Sequence, residues 1–285
     1  MSSFNAVTSL TSPTGCCDVP NAGAASSWKG AELTSEGDLC EAISAAGEIL
    51  LFTGAGISTP SGIPDFRGPQ GVWKKRDPVF YQDFMSSEDS RIDYWEYKIE
   101  GWAAFQEARP NVVHDAIVRI EKAGKLGLVV TQNVDGLHLL AGTSPSLLVE
   151  LHGTNGKVEC QGCRQEADPE ESFEFFRREG AAPRCPCGGY LKPATISFGQ
   201  GLRPEDLEKA FQGAASCDLV LSLGSTLSVE PAASIPLSAA KNGSPYFIVN
   251  QGETAHDRID CLSGRVDGLI EEIFPTAVEK ALGPG

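Results

Sequence analysis

A glycine-rich loop after a short apolar run is the first part of this sequence that could do chemistry. Residues 49–52 are all apolar and Gly54 and Gly56 follow closely, which predicts a buried strand entering a tight loop. Glycines there would let backbone N–H groups approach a pyrophosphate that a Cβ would hold off. The spacing runs on to Thr59 as G-x-G-x-x-T, not G-x-G-x-x-G, and the expected second strand, ending in an acidic residue about 20 positions later, is missing. The loop therefore indicates a nucleotide without ordinary hydride chemistry.

Four cysteines in two close pairs have the spacing of a metal site. The pairs are Cys160-x-x-Cys163 and Cys185-x-Cys187. Zn²⁺ takes four thiolates in a tetrahedron, and two short knuckles supply two each, which leaves no position for water in a structural site. Two reduced thiol pairs or a disulfide are the alternatives. The remaining cysteines indicate ordinary thiols in a reducing compartment: Cys16, Cys17, Cys40, Cys217 and Cys261.

Several continuous apolar runs end in polar or glycine-rich residues, as buried parallel strands do. The runs predict strands at 49–53, 126–131, 219–223 and 246–249. Helical patterns lie between them at 38–46, 111–123, 204–215 and 232–241. This alternation predicts a doubly wound, Rossmann-like α/β parallel sheet with right-handed crossovers. Ligands bind outside the carboxyl ends of such strands, where these polar residues stand.

Two stretches break the alternation and predict inserted modules in a domain that spans residues 31–285. Residues 73–109 are rich in aromatic side chains and mostly helical in pattern, whereas residues 153–191 carry the paired cysteines. Residues 1–30 are rich in Ser, Ala, Gly and Thr, which predicts a disordered tail.

The charge balance restricts the partners. The chain has 23 Lys and Arg against 38 Asp and Glu, a formal net charge of −15. Because phosphate neutralisation requires clustered cations, we expect no direct binding of nucleic acid. An acidic surface would steer basic protein segments towards the molecule, or it would serve solubility alone.

The sequence gives no sign of membrane insertion or secretion. No apolar run reaches the roughly 20 residues that a membrane helix requires. Residues 1–30 contain one Lys and no Arg and lack the regions of a secretory signal. We expect an intracellular monomer without membrane contact, in the cytoplasm, with the nucleus left open.

Four motifs, all in one order, carry a family resemblance. They read Gly-Ala-Gly-Ile-Ser at 54–58, Gly-Ile-Pro-Asp-Phe-Arg-Gly at 62–68, Thr-Gln-Asn-Val-Asp-Gly-Leu-His at 131–138 and Leu-His-Gly at 151–153. Together they resemble the sirtuins, the NAD-dependent protein deacylases, over residues 39–282. The resemblance implies two inserts, a mobile cofactor loop with a small helical module and a zinc ribbon. It leaves the subclass open.

The resemblance also implies a catalytic set. His152 would act as general base on a ribose hydroxyl after the glycosidic bond has broken, a task that suits an imidazole with an ordinary pKa of about 6.5. Asn133 and Asp135 would line the pocket from which nicotinamide leaves, holding the carboxamide and stabilising an oxocarbenium-like ribose. From the residues alone, an Asx turn after a strand is the alternative for both.

Further residues are implied to contact NAD. Phe66 would shield the reactive ribose, and Arg67 would bind the phosphates as a bidentate donor. The full set of implied contacts is Gly54, Ala55, Gly56, Thr59, Asp65, Phe66, Arg67, Trp73, Gln132, Gly224, Thr226, Asn250 and Val266.

The resemblance implies a protein-lysine deacylase, most simply a deacetylase, that consumes NAD and contains structural zinc. Its partner would be an acyl-lysine protein or peptide, and its products lysine, nicotinamide and O-acyl-ADP-ribose. Mono-ADP-ribosyl transfer or NAD hydrolysis is the rival chemistry, and an NAD-binding scaffold with little turnover is the rival class. Malonyl- and succinyl-selective sirtuins carry Y-x-x-R after a Trp-Glu pair. Here residues 97–101 read Tyr-Lys-Ile-Glu-Gly, which favours short neutral or longer aliphatic acyl groups.

Overall fold

The computed structural model describes residues 36–65, 71 and 76–284. Its strands form two sheets, and their bounds follow the chain. They are β1 Ile49–Thr53, β2 Leu126–Thr131, β3 Leu148–Glu150, β4 Gly153–Cys160, β5 Glu166–Ala167, β6 Leu191–Thr195, β7 Leu219–Leu223, β8 Tyr246–Asn250 and β9 Gly264–Asp267.

Helices connect most of these strands. They are α1 Glu36–Ala45, α2 Tyr81–Ser86, α3 Glu88–Glu107, α4 Val112–Lys122, α5 Leu137–Ala141, α6 Pro169–Glu179, α7 Pro204–Ser216, α8 Ser234–Lys241 and α9 Ile270–Leu282. Within the described part of the chain, none of them is long and apolar enough to cross a bilayer.

The larger sheet is parallel and has six strands in the order β3-β2-β1-β7-β8-β9. From β1 the sheet therefore extends in one direction through β2 and β3 and in the opposite direction through β7, β8 and β9. In doubly wound sheets this reversal opens a crevice at the carboxyl ends of the strands. The order alone predicts a ligand site beyond the ends of β1 and β7.

Apolar side chains fill both faces of this sheet, which explains its continuous apolar strands. On one face, Leu39, Ile117 and Phe274 pack from α1, α4 and α9. On the other face, Ala214 and Ala239 pack from α7 and α8. Strands covered on both sides bury successive side chains, and β1, β7 and β8 are buried throughout. The predicted doubly wound α/β fold is confirmed.

The two inserts fold against each other. β4 pairs antiparallel with both β5 and β6 to form a three-stranded sheet. Trp95 and Trp102 of α3 pack on Phe173 of α6, with ring centroids 5.2 and 4.2 Å apart. The Arg91 guanidinium lies 3.8 Å from the centre of the Tyr190 ring. We call this shared structure, which consists of α2, α3, α6 and β4 to β6, the small unit; it has its own apolar core.

Candidate active site

A cavity of about 960 Å³ lies at the carboxyl ends of the parallel strands. Its wall is formed by the loops of the large sheet and by helix α3 of the small unit. Most of the residues that the sequence predicted for the site line it: Ala55, Gly56, Thr59, Asp65, Gln132, Asn133, His152, Gly224, Thr226 and Asn250. The fold therefore brings together motifs that are far apart in the sequence.

Three glycines bring the loops after β1 and β7 into backbone contact. The N–H of Gly54 donates to the Leu223 carbonyl at 3.0 Å, and that of Gly56 donates to the Gly224 carbonyl at 2.9 Å. A Cβ on Gly54 would lie 2.7 Å from the Gly224 oxygen, and one on Gly56 would lie 2.8 Å from the Gly224 Cα. Gly224 itself has a left-handed φ of 61°. These two N–H groups are bonded within the protein, so the close approach that the glycines allow is between the two loops; the predicted contacts of these residues with NAD stay predictions.

The loop after β1 is held by the residue that precedes α4. The Asn111 side chain accepts a hydrogen bond from the Val113 N–H at 2.9 Å and so caps the helix. Its amide nitrogen donates to the Ile57 carbonyl at 2.9 Å and to Ser61 Oγ at 2.8 Å. One side chain thus fixes both the start of α4 and the loop after β1.

Asn133 lies at the cavity wall, whereas Asp135 lies behind it. Asn133 is buried at the cavity wall, and its amide donates to the Gly54 carbonyl and to Ser58 Oγ, both at 3.1 Å. Ser58 Oγ in turn donates to Asp135 Oδ2 at 2.8 Å, and the Leu137 N–H donates to Oδ1 at 2.9 Å. Burial raises the pKa of Asp135, although these two hydrogen bonds oppose the rise. The structure places Asp135 behind the cavity wall, where it orients Asn133 through Ser58; its predicted contact with nicotinamide stays a prediction.

His152 faces the cavity with a defined tautomer. Its Nδ1 lies 3.1 Å from the carbonyl oxygen of Gln132. A carbonyl oxygen only accepts, so Nδ1 carries the hydrogen in this contact and Nε2 is the basic nitrogen of the neutral ring. The His152 carbonyl accepts a hydrogen bond from the Ile196 N–H at 2.8 Å, which fixes the backbone beside β6. This arrangement suits a general base.

The small unit supplies an amine and a phenol to the same cavity. Lys98 Nζ donates to Asn155 Oδ1 at 2.8 Å and to Thr195 Oγ1 at 3.3 Å. The Tyr94 hydroxyl lies 3.0 Å from the same Thr195 oxygen. Burial lowers the pKa of Lys98 to about 7. The cavity wall opposite the large sheet is therefore polar, and its lysine loses its proton more readily than an exposed lysine does.

The remaining predicted contacts divide between the cavity and the core. The Gln132 amide donates to Ser225 Oγ at 2.8 Å and so joins the loops after β2 and β7. Asn250, at the end of β8, donates to the carbonyls of Gln251 and Gly252 at 3.0 and 2.9 Å. Val266 is buried in the core of the sheet and does not line the cavity. Its predicted contact with NAD is untested.

Three of the predicted residues cannot be placed. Phe66, Arg67 and Trp73 lie outside the described residues, as does the predicted tail. Their implied roles remain predictions from the sequence.

The four paired cysteines converge on one point of the small unit. All four sulfur atoms lie within 4.8 Å of one another, with Cys160 and Cys187 3.5 Å apart and Cys163 and Cys185 3.7 Å apart. A tetrahedral zinc with bonds of about 2.3 Å requires sulfur atoms about 3.8 Å apart. The donor set therefore fits structural zinc.

Glycines make the tighter C-x-C pair possible. Gly188 has a left-handed φ of 87°, and a Cβ on Gly189 would lie 2.6 Å from Cys160 Sγ. The Gly189 N–H donates to Cys187 Sγ at 3.4 Å, and the Gly162 N–H donates to Cys160 Sγ at 3.3 Å. Such donors stabilise thiolate, the form that binds metal.

Sequence reasoning missed residues that act one step away from the cavity. Ser58 stands inside the first motif, and only the structure shows its Oγ between Asn133 and Asp135. Tyr94 lies on α3, and the aromatic richness of this segment concealed a hydroxyl that reaches Thr195.

Comparisons with known proteins agree with this site. The family model described as the Sir2 family matches residues 54–231. A Rhodopseudomonas palustris protein named NAD-dependent protein deacetylase is 39% identical over 230 residues, which cover 80% of this chain and 91% of that protein. A Sulfolobus acidocaldarius protein of the same name is 41% identical over 221 residues, which cover 77% and 85%.

A solved structure shows the same fold with ligands bound. It is a Sir2 protein with a deacetylated p53 peptide and 3'-O-acetyl ADP-ribose, and it is 31% identical to this chain with a TM-score of 0.80. The match covers 88% of this chain and 100% of that one.

Proposed function

This chain belongs to the Sir2 family, and on that premise we propose that it is an NAD-dependent protein-lysine deacylase that acts on acetyl-lysine. The observation that carries the proposal is the placement of His152, whose imidazole lines the cavity with Nδ1 3.1 Å from the Gln132 carbonyl oxygen. Because a carbonyl oxygen only accepts, this contact puts the hydrogen on Nδ1 and makes Nε2 the basic nitrogen of the neutral ring. A site that only bound NAD would not require a base in this state.

The residues divide the chemistry between them. The acyl oxygen of the substrate attacks C1′ of the nicotinamide ribose as nicotinamide leaves, beside Asn133. His152 then takes the proton of a ribose hydroxyl, which attacks the former amide carbon. One water is consumed, lysine is released and the acyl group remains on ADP-ribose. NAD is thus a substrate, whereas zinc, held by the four cysteines, would support the fold.

One assay separates this function from its rivals. Nicotinamide release is measured with NAD alone, with acetyl-lysine peptide and with the same peptide unacetylated. Release that depends on the acetyl group, matched by equal amounts of deacetylated peptide, supports deacylation. Release with NAD alone indicates hydrolysis, and peptide that gains ADP-ribose indicates mono-ADP-ribosyl transfer. Absence of release in all three reactions, with NAD bound, indicates a scaffold and contradicts the proposal.

The preferred substrate segments, the cellular location and the oligomeric state are also part of the proposal. The net charge of −15 supports a preference for acyl-lysines in basic segments. Thiols outside the four-cysteine cluster, at Cys40 and Cys217, support a reducing, intracellular location such as the cytoplasm. We expect a monomer, which light scattering at enzyme concentration would test.

Acyl selectivity depends on the charge of Lys98. Among described residues, the lysine and arginine side chains that line the cavity are Lys98 and Arg76. Arg76 forms an ion pair with Asp93, and the Lys98 amine is bonded to neutral oxygens. A succinyl carboxylate would lose its water without gaining a bidentate guanidinium. We expect acetyl peptide to be preferred over succinyl peptide by at least about tenfold in kcat/KM, roughly 1.4 kcal/mol.

The pH dependence and a matched substitution test this selectivity. Burial lowers the pKa of Lys98 to about 7, so the amine is charged below that pH and increasingly neutral above it. The acetyl-to-succinyl ratio should therefore grow as the pH rises through 7. Lys98→Arg should lower the acetyl-to-succinyl ratio. Lys157→Arg, at an exposed ion pair with Glu166, should leave it unchanged. Equal or reversed preference in the native enzyme would show that the pocket holds another cation.

A further inference from the structure

A buried arginine lies beside the turn that forms the far end of the cavity. Arg265, on β9, is 9% exposed. Its Nη1 donates to the carbonyl oxygens of Asn250 and Val266, both at 3.0 Å, and its Nη2 donates to the Gly252 carbonyl. One guanidinium thus binds both ends of the turn that leaves β8.

Two carboxylates hold this guanidinium in place. Arg265 Nε donates to Asp257 Oδ1 at 2.9 Å, and Nη2 lies 3.2 Å from Asp267 Oδ1. Asp257 also accepts the Thr254 N–H at 2.9 Å, and Asp267 accepts the Gly252 N–H at 3.0 Å. Residues 250–254 are therefore tied to Arg265 directly and through both of its carboxylate partners.

The turn that these bonds hold is part of the cavity wall. Asn250 and Gln251 line one side of the cavity and residues 268–271 line another. β8 stands two strands away from β1, which is about 10 Å at the usual strand spacing. If the nicotinamide ribose lies near His152 and the loop after β1, the adenosine half of an extended dinucleotide reaches this turn.

We infer that Arg265 is a positioning residue for the adenosine half of NAD, because it fixes the backbone of residues 250–252 against β9. The inference rests on the proposed function for the identity of the ligand. Arginine suits this position since its planar fork can serve carbonyls and carboxylates in several directions at once. A lysine ammonium has three N–H donors but no planar group that spreads them in fixed directions. Lysine at position 265 would therefore retain the charge and lose some of the hydrogen bonds to the turn.

Substitutions at and beside Arg265 test the inference. We would compare Arg265→Lys, Arg265→Met and Asp257→Asn with the native chain. Arg178→Met is the control, since Arg178 is exposed, pairs with Glu179 on α6 and does not line the cavity. The measurements are KM for NAD, KM for acetyl peptide, kcat, the thermal midpoint without ligand, and binding of ADP-ribose by calorimetry.

A positioning role predicts a split between these quantities. KM for NAD and Kd for ADP-ribose should rise about tenfold in Arg265→Met and less in Arg265→Lys and Asp257→Asn. The values of kcat and of KM for peptide should stay within about twofold of the native ones. The control should leave all of them unchanged. Asp257→Asn keeps Arg265 in place, so it provides the test if Arg265→Met fails to fold.

Two results would overturn the inference. One is a lower thermal midpoint with unchanged ADP-ribose affinity, which would make Arg265 a residue of stability alone. The other is a parallel loss of kcat and of both substrate affinities, which would indicate general distortion. Because ADP-ribose binding needs no turnover, a failed deacylation assay in the native chain would count against the proposed function and not against this inference.

Discussion

His152→Ala is expected to lower deacetylation by about 10²–10⁴-fold while the protein still binds NAD. The imidazole lies at the cavity wall, and its Nδ1 is bonded to the backbone of Gln132. Alanine removes the base without adding charge or volume. The measurements are initial rates on acetyl peptide and calorimetric binding of NAD.

The position of the base in the reaction provides a sharper test. In the proposed mechanism His152 acts after the glycosidic bond has broken, so nicotinamide exchange into NAD should survive in His152→Ala when acetyl peptide is present. Asn133→Ala is the matched comparison, because it removes a side chain at the proposed point of nicotinamide release and should slow exchange and deacetylation together. A His152 variant with near-native turnover would remove the residue from the mechanism, and loss of exchange would place it in the first step.

The inner strands could be predicted from the sequence because burial on both faces leaves one signature. Ile49–Thr53, Leu126–Thr131 and Leu219–Leu223 were each predicted to the residue, and each is a continuous apolar run between helices. The edge strands Leu148–Glu150 and Gly264–Asp267 were not predicted. They are short and partly polar, and they become strands only through pairing with their neighbours.

The sequence motifs predicted which residues belong to the site, but not which of them line the cavity and which lie behind its wall. Asn133 and Asp135 are two residues apart, yet one meets the cavity and the other meets Ser58. Such a difference arises from a turn geometry that residue types do not specify. Likewise, the glycines of the first motif signalled close approach correctly, but the approaching group is the backbone at Gly224.

The packing of the two inserts against each other could not be predicted from the sequence either. Residues 73–109 and 153–191 were predicted as separate modules, since nothing in either pattern names its partner. The contact of Trp102 with Phe173 shows that they share an apolar core. Long-range packing of this kind depends on the topology of the sheet from which both inserts leave.

Cys163→Ser is expected to remove zinc and to unfold the small unit. The four sulfur atoms lie within 4.8 Å of one another, and three thiolates hold Zn²⁺ far less well than four. Without the metal, the knuckles no longer fix β4 and β6, whose Val158 and Leu191 share one apolar core with Trp95 of α3. Elemental analysis should give one zinc per native chain and much less in the variant.

Loss of the small unit should then reduce activity indirectly. Lys98 and Tyr94 contact Thr195 at the cavity, and the next residue, Ile196, binds the His152 carbonyl. We therefore expect deacetylation to fall while ADP-ribose, whose proposed contacts lie on the large sheet, still binds. Cys40→Ser, at a half-buried thiol on α1, is the control and should keep both zinc and activity. Full activity after complete removal of the metal would show that the cysteine cluster folds without zinc, and the structural role assigned to the metal would be wrong.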